Sequence, residues 1–279
     1  MKIIDSHVHF WNPAQLRYLW LDELAALKRP FLPADYQEAT NQMVSDVVFV
    51  QADCLPEQGL AEVDWVAGLG EMVRAIVAFA PLELGEAARP HLAQLQERPL
   101  VKGVRRLIQS EAADFAVQPE FVRGVQLLAE YDFRFDICIK HHQLTAVIEL
   151  VRQCPNIPFV LDHIGKPDIA KGEFIIWQKN LSTLAQFENV YCKLSGVITE
   201  ADWAGWTVRE IRPYLEHTIA SFGINRVMFG SDWPVVNLAG SFTKWFDALS
   251  DIVQMLRTEE KEKLFHQNAA KFYGIALDG

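Results

Sequence analysis

Cysteine is scarce in this 279-residue chain: there are four, at positions 54, 138, 154 and 192, and no two form a Cys-Xaa-Xaa-Cys pair. That spacing argues against a disulfide scaffold or a cysteine-ligated zinc. Cys138 and Cys192 fall inside apolar runs, so the four are expected to be reduced and mostly buried. Glycine and proline are few as well, 15 and 13, which excludes collagen-like and low-complexity chains. No run approaches the roughly 18 apolar residues that span a bilayer. Met1 leads straight into Ile3-Ile4-Asp5 without an apolar leader, which points to a cytoplasmic protein. Positive charge is in the minority, with 26 Lys and Arg against 36 Asp and Glu for a net charge of −10. Binding to nucleic acid or to an anionic membrane rests on an excess of basic residues, so neither partner is expected. What the chain does have is apolar mass, half of its residues, enough for a large core.

Short β-branched or apolar runs occur at 2–5, 46–51, 74–79, 101–106, 134–139, 159–162, 190–193 and 226–230. Between them lie longer stretches whose apolar residues return every three and four positions, as at 58–71, 119–131, 144–154, 172–187 and 209–222. This alternation is the mark of parallel βα units. Pro119 and Pro213 are expected in first helical turns, where a missing N–H does no harm. A doubly wound sheet would place a glycine-rich loop after its first strand, and 5–11 contains no glycine. Eight units without a composition break therefore predict one (β/α)8 TIM barrel, a single domain over 1–279, with extra C-terminal helices at 259–265 and 268–273. There is no internal repeat and no linker.

Catalytic groups in such a barrel stand at the C-terminal ends of the strands, and those ends are polar almost everywhere. Strand one ends in Asp5-Ser6-His7-Val8-His9, which puts His7 and His9 on one face of an extended segment. Strand two ends at Gln51 and Asp53, strand four at Arg105-Arg106, and strand five at Lys140-His141-His142. Strand six ends in Asp162-His163-Ile164-Gly165-Lys166-Pro167, strand seven in Lys193-Leu194-Ser195-Gly196 and strand eight in Gly230-Ser231-Asp232-Trp233-Pro234. Each element alone has a structural explanation as a cap, turn or surface charge. The convergence of His7, His9, His163 and Asp232 on one rim is what marks a site.

The strand-one motif Asp5–His9, the strand-six motif Asp162–Pro167 and the strand-eight motif Phe229–Pro234 resemble the amidohydrolase superfamily and, more narrowly, its amidohydrolase-2 branch of sugar-lactone hydrolases such as fuconolactonases and rhamnonolactonases. The likeness covers essentially the whole chain, through Gly103-Val104-Arg105 and the run from Asn268 to Gly274. It implies that His7 and His9 are the strand-one pair, His163 the strand-six histidine and Asp232 the strand-eight aspartate. Binuclear members bridge two metals with a strand-four lysine carbamate or carboxylate. Here strand four ends in Arg105-Arg106, with Lys102 near its beginning, so two metals are not expected. His7, His9, His163 and Asp232 suit one divalent ion, Zn²⁺ or Mn²⁺, with open positions, or a site that works without metal. His141 and His142 are candidates for a further ligand.

The reaction so implied is opening of a small-molecule lactone, a sugar (aldono-) lactone above all, by a water activated by Asp232. His163 would share the catalytic work, holding the metal or donating a hydrogen bond to the developing oxyanion. Arg105 and Lys166 would orient substrate oxygens and meet the released carboxylate. Trp11, Trp20 and Trp233 are candidates to stack on the sugar, and Gln51 and Asp53 to bind its hydroxyls. A metal-dependent decarboxylase of an aromatic or unsaturated acid is the alternative on the same barrel, with Lys166 in its Gly-Lys-Pro turn favouring the lactone. The state of assembly is not legible in the sequence.

Overall fold

A computed structural model describes residues 2–276. Among them are eight strands: β1 (Ile4–Val8), β2 (Asp46–Val50), β3 (Val73–Phe79), β4 (Val101–Arg105), β5 (Arg134–Ile137), β6 (Phe159–Leu161), β7 (Val190–Leu194) and β8 (Val227–Phe229). They pair in parallel and in chain order. The ring is completed between β8 and β1, where Asp232 N donates to His7 O at 2.9 Å and His9 N donates to Trp233 O at 2.8 Å. A helix follows each strand in turn: α1 (Pro33–Ala39), α2 (Gly59–Ala67), α3 (Arg89–Gln96), α4 (Pro119–Leu127), α5 (Leu144–Gln153), α6 (Ile175–Leu184), α7 (Val208–Phe222) and α8 (Phe242–Ile252). The result is a (β/α)8 TIM barrel with additional C-terminal helices, α9 (Thr258–Glu262) and α10 (Asn268–Tyr273). Among the described residues no helix is long and apolar enough to cross a membrane.

The strands read as continuous apolar runs because both of their faces are buried. Val48, Val50, Ala75, Val77, Val160 and Met228 point into the barrel, while Val47, Phe49, Ile76, Phe135, Phe159 and Phe229 lie in the larger core beneath the helices. The inner cluster is completed by Ala269, Ala270, Phe272 and Tyr273 of α10, which plugs the floor of the barrel. Asn268 fixes that helix, donating through Nδ2 to Ile224 O and Val227 O, both at 2.7 Å.

Two details differ from the expectations above. Strand one runs on through Ser6-His7-Val8, past the polar residues at which an apolar reading stops, because pairing with the chain after β8 holds them in the ladder. The β1–β2 register shifts between Asp5 and Val8. Ile4 belongs to the inner cluster and Val8 to the outer one, although four residues separate them, so this irregularity reverses the alternation and turns His7 and His9 inward. Pro213 lies inside α7, not in its first turn. The first turn of α7 lies at Val208 and the residues just after it, capped by Thr207 and Glu210, with Thr207 N donating to Glu210 Oε2 at 2.7 Å.

Asn268→Ala leaves two main-chain carbonyls short of a donor. Urea unfolding is expected to show a loss of about 1–3 kcal/mol, and an unchanged midpoint would contradict this anchoring of the barrel floor.

Candidate active site

Three acceptor atoms converge at the C-terminal mouth of the barrel. His7 Nε2 and His9 Nε2 are 3.2 Å apart, and Asp232 Oδ1 lies 3.4 Å from the second and 3.7 Å from the first. Each ring is aimed by what touches its other nitrogen. His9 Nδ1 sits 2.7 Å from Val50 O, an acceptor only, so the ring proton is on Nδ1 and Nε2 is bare. His7 Nδ1 faces Asp162 Oδ1 at 3.2 Å, and Arg105 Nη1, a donor only, is 3.4 Å from His7 Nε2. His163 joins from the strand-six end, its Nδ1 2.9 Å from Ser195 Oγ and its ring 4.4 Å from that of His7.

Unusual backbone makes this convergence. His163, Ile164, Gly165 and Lys166 all have positive φ, 53°, 50°, 74° and 46°, and Asp232 has 61°. For a β-branched residue such as Ile164 the left-handed region is costly, on the order of 1–3 kcal/mol. The turn is held from outside by Trp177 Nε1, which donates to Ile164 O at 2.8 Å. Space is made by Gly196, where a Cβ would fall 2.4 Å from His163 Nδ1 and 3.0 Å from Asp232 Oδ2.

Burial sets the charge states. It pushes His7 and His163 well below the ordinary imidazole range, and His9 below it, so the three rings are neutral. The same burial would raise Asp232, but the neighbouring His163, His9 and Lys166 outweigh it and hold the carboxyl below its usual range. Asp162 is lowered well below the carboxylate range, its burial overcome by Lys193 and His7. Neutral imidazoles with bare Nε2 atoms beside an ionised carboxylate are the donor set of a divalent metal site, and orientation by a carbonyl and a carboxylate behind the rings is what such ligands require. His7, His9 and Asp232 therefore fit a single ion. The other grouping, His7 with Asp162 and His163, is already served by cations, since Asp162 lies 3.1 Å from Lys193 Nζ and 3.2 Å from Arg105 Nη1.

Above this cup opens a cavity of about 290 Å³. His9, His163 and Asp232 are at its base, with Arg105, Lys166, Gln109, Ser110 and Asp53 on its polar side and Trp20, Leu24, Leu107 and Val235 on its apolar side. Lys166 Nζ donates to Gln109 Oε1 at 2.7 Å. Glu62, raised by burial to about 8, accepts from Ala52 N at 3.1 Å and props the segment that carries Asp53.

Of the substrate contacts expected from sequence, Arg105 and Lys166 line the cavity, whereas Trp11, Gln51 and Trp233 do not. Trp11 is fully buried and donates through Nε1 to Leu27 O and Arg29 O. Trp233 packs among Phe10, Phe31 and Tyr36. Both rings are drawn into the aromatic core, and Trp20 takes the place on the cavity wall. Gln51 turns its Oε1 back to Asp53 N at 2.6 Å and offers Arg105 only its carbonyl, at 2.6 Å. His141 pairs with Glu173 at 2.9 Å and His142 is exposed, both away from the cup. Beneath the cup lie Asp162 and Lys193, which the sequence marks only as polar strand ends, and Asp136, which it does not mark; Gln109 and Cys138 are on the cavity wall. The parity of Phe135-Asp136-Ile137 and Cys192-Lys193-Leu194, a charge between outward-facing apolar residues, was the available signal for two of them.

A parallel barrel carrying His-Xaa-His on its first strand, with histidine after the sixth and aspartate after the eighth, is the architecture of a barrel hydrolase. The chain belongs to the amidohydrolase family (Amidohydro_2), whose model matches residues 4–275. It is similar to an L-fucono-1,5-lactonase of Burkholderia ambifaria, 32% identical over 98% of this chain and 95% of the relative. An L-rhamnono-gamma-lactonase of Scheffersomyces stipitis is 24% identical over 98% and 99%. An amidohydrolase of Burkholderia multivorans, solved with bound zinc, superimposes with a TM-score of 0.87 at 31% identity, over 99% of this chain and 100% of that one.

Arg105 fills the strand-four position and Lys193 the space beneath His7, so elemental analysis of the zinc-loaded protein is expected to find no more than one zinc per chain. Two would overturn that assignment.

Proposed function

We propose that this protein hydrolyses the ring ester of a small lactone, a sugar lactone above all. The observation that carries the reading is the ionised Asp232 set against two bare imidazole nitrogens at the base of a cavity whose walls hold Arg105 and Lys166. The named lactonases among the relatives support it. So does the two-sided wall, since a lactone of a sugar presents hydroxyls to Asp53, Gln109 and Lys166 and C–H groups to Trp20, Leu24 and Val235.

Asp232 accepts a proton from water as the water oxygen bonds to the ring carbonyl carbon. His163, its Nδ1 engaged by Ser195, faces the negative charge that develops on the carbonyl oxygen. Collapse breaks the carbon to ring-oxygen bond, and the proton held by Asp232 passes to the departing alkoxide, leaving a hydroxy acid. Lys166 and Arg105 meet the new carboxylate. A divalent ion held by His7, His9 and Asp232, zinc or manganese, supplies acidification of the water and polarisation of the carbonyl when bound. Four free, buried cysteines suit a reducing compartment, and we place the protein in the cytoplasm.

A pH-indicator assay with fucono-, rhamnono-, galactono- and arabinonolactones, run with and without chelator, tests substrate class and metal dependence together. Turnover of at least one is expected, and Asp232→Asn is expected to lower kcat by about 10²–10⁴-fold with its circular dichroism unchanged. Near-normal turnover by that variant would remove Asp232 from the mechanism. Release of carbon dioxide from aromatic acids, with every lactone inert, would replace the reading by a decarboxylase.

A further inference from the structure

Beneath the cup, on the barrel axis, lies a column of buried charge that the hydrolytic mechanism does not use. Tyr273 of α10 donates through its hydroxyl to Asp136 Oδ2 at 2.8 Å, and Lys193 Nζ donates to the same oxygen at 2.5 Å. Lys193 Nζ is also 3.1 Å from Asp162 Oδ1 and 3.3 Å from His7 Nδ1. Asp136, Asp162, Lys193, His7 and Tyr273 are all fully buried, so no solvent competes for these contacts.

His7 is thus flanked by donor-only groups on both nitrogens, Arg105 at Nε2 and Lys193 at Nδ1. Its proton can occupy only one of them. With the proton on Nδ1, facing Asp162, Nε2 is bare and faces the cup. Were Lys193 to donate into Nδ1, the proton would move to Nε2 and the cup would lose an acceptor. The balance depends on where the ammonium is held, and the shortest contact holds it on Asp136.

We propose that Asp136 and Tyr273 are positioning residues: they keep the Lys193 ammonium on Asp136 Oδ2, at 2.5 Å, so that its approach to His7 Nδ1, at 3.3 Å, stays the weaker contact, which fixes the tautomer that presents a bare Nε2, and so make the C-terminal helix α10 part of the site. The proposal rests on the reading of His7, His9 and Asp232 as the ion-holding cup. It does not rest on the identity of the substrate.

Long-range ¹H–¹⁵N spectra of the zinc-free protein read the His7 tautomer directly, with the signal assigned by its loss in His7→Asn, and titration with zinc chloride reads the affinity of the cup. The wild type is expected to show Nδ1–H and to bind one zinc. Asp136→Asn is expected to shift His7 toward Nε2–H and to weaken zinc binding by roughly tenfold or more, and Tyr273→Phe to do the same to a smaller degree. Tyr273→Phe removes one hydroxyl and no charge, so it reports even where Asp136→Asn fails to fold. Phe272→Leu, which alters the packing against the Tyr273 ring, 4.9 Å away, but removes none of the column's hydrogen bonds, is expected to change neither readout. Adding Lys193→Met to Asp136→Asn removes the competing donor and is expected to restore Nδ1–H, a rescue that a merely structural role would not produce. An Nε2–H tautomer in the wild type, a wild type that binds no zinc, or variants indistinguishable from it in both readouts would each overturn the proposal. No readout uses a lactone, so inertness toward lactones would count against the proposed reaction alone.

Discussion

The structure depends on an electrostatic conflict: the bare nitrogens of His7 and His9 and the carboxylate oxygen of Asp232 lie within 3.2–3.7 Å of one another where little water screens them. Lone pairs so placed repel, and the repulsion is strong in a medium of low dielectric. Burial keeps the imidazoles neutral, so the rings do not supply the missing positive charge themselves. A divalent cation would resolve the conflict, and these residues could hold one. The charges below the cup set how many are tolerated. Lys193 and Arg105 balance Asp136 and Asp162, which leaves the single negative charge of Asp232. One divalent ion takes the set to +1 and a second would take it to +3, an uncompensated buried charge of the kind that costs several kcal/mol per ion.

Holding such a set together is the task of the backbone. The main-chain bonds between His7, His9 and the segment after β8 close the barrel and bring Asp232 to the histidine pair in one step. The left-handed turn after β6 delivers His163 from the opposite side, and Gly196 leaves room for its ring. Stability is given up locally at Ile164 and Lys166 and is recovered in the packing around them, as in Trp177 against the turn. At the other end α10 closes the floor and, through Tyr273, reaches the same column of charge that stands under His7. Floor and mouth are therefore linked through side chains inside the barrel.

Much of this was legible in the residues. Alternating apolar runs marked the eight strands to within a few positions, because both faces of each strand are buried and the helices between them carry a different period. His7, His9, His163 and Asp232 could be singled out because polar residues at the ends of apolar strands are out of place unless they converge. The aromatic residues are harder: nothing in the local sequence distinguishes Trp20, on the cavity wall, from Trp11 or Trp233, in the core, since all three follow a strand end and precede the next α-helix. Pro213 lies past the first turn of α7 even on the helix bounds read from the apolar period, so its place in the interior follows from those bounds and not from a first-turn role. Asp136 and Lys193 are embedded in short strands, and only the inward parity of those positions, which requires the barrel, turns them from ordinary charges into buried ones.

The central claim, that one cation resolves the conflict among His7, His9 and Asp232, is tested most directly by zinc-edge anomalous diffraction from crystals grown with zinc. The account predicts one strong peak per chain, within bonding distance of His7 Nε2, His9 Nε2 and Asp232 Oδ1. A peak bonded instead to Asp162 and His163, a second peak beside Lys193, or no peak in the cup at all would contradict it.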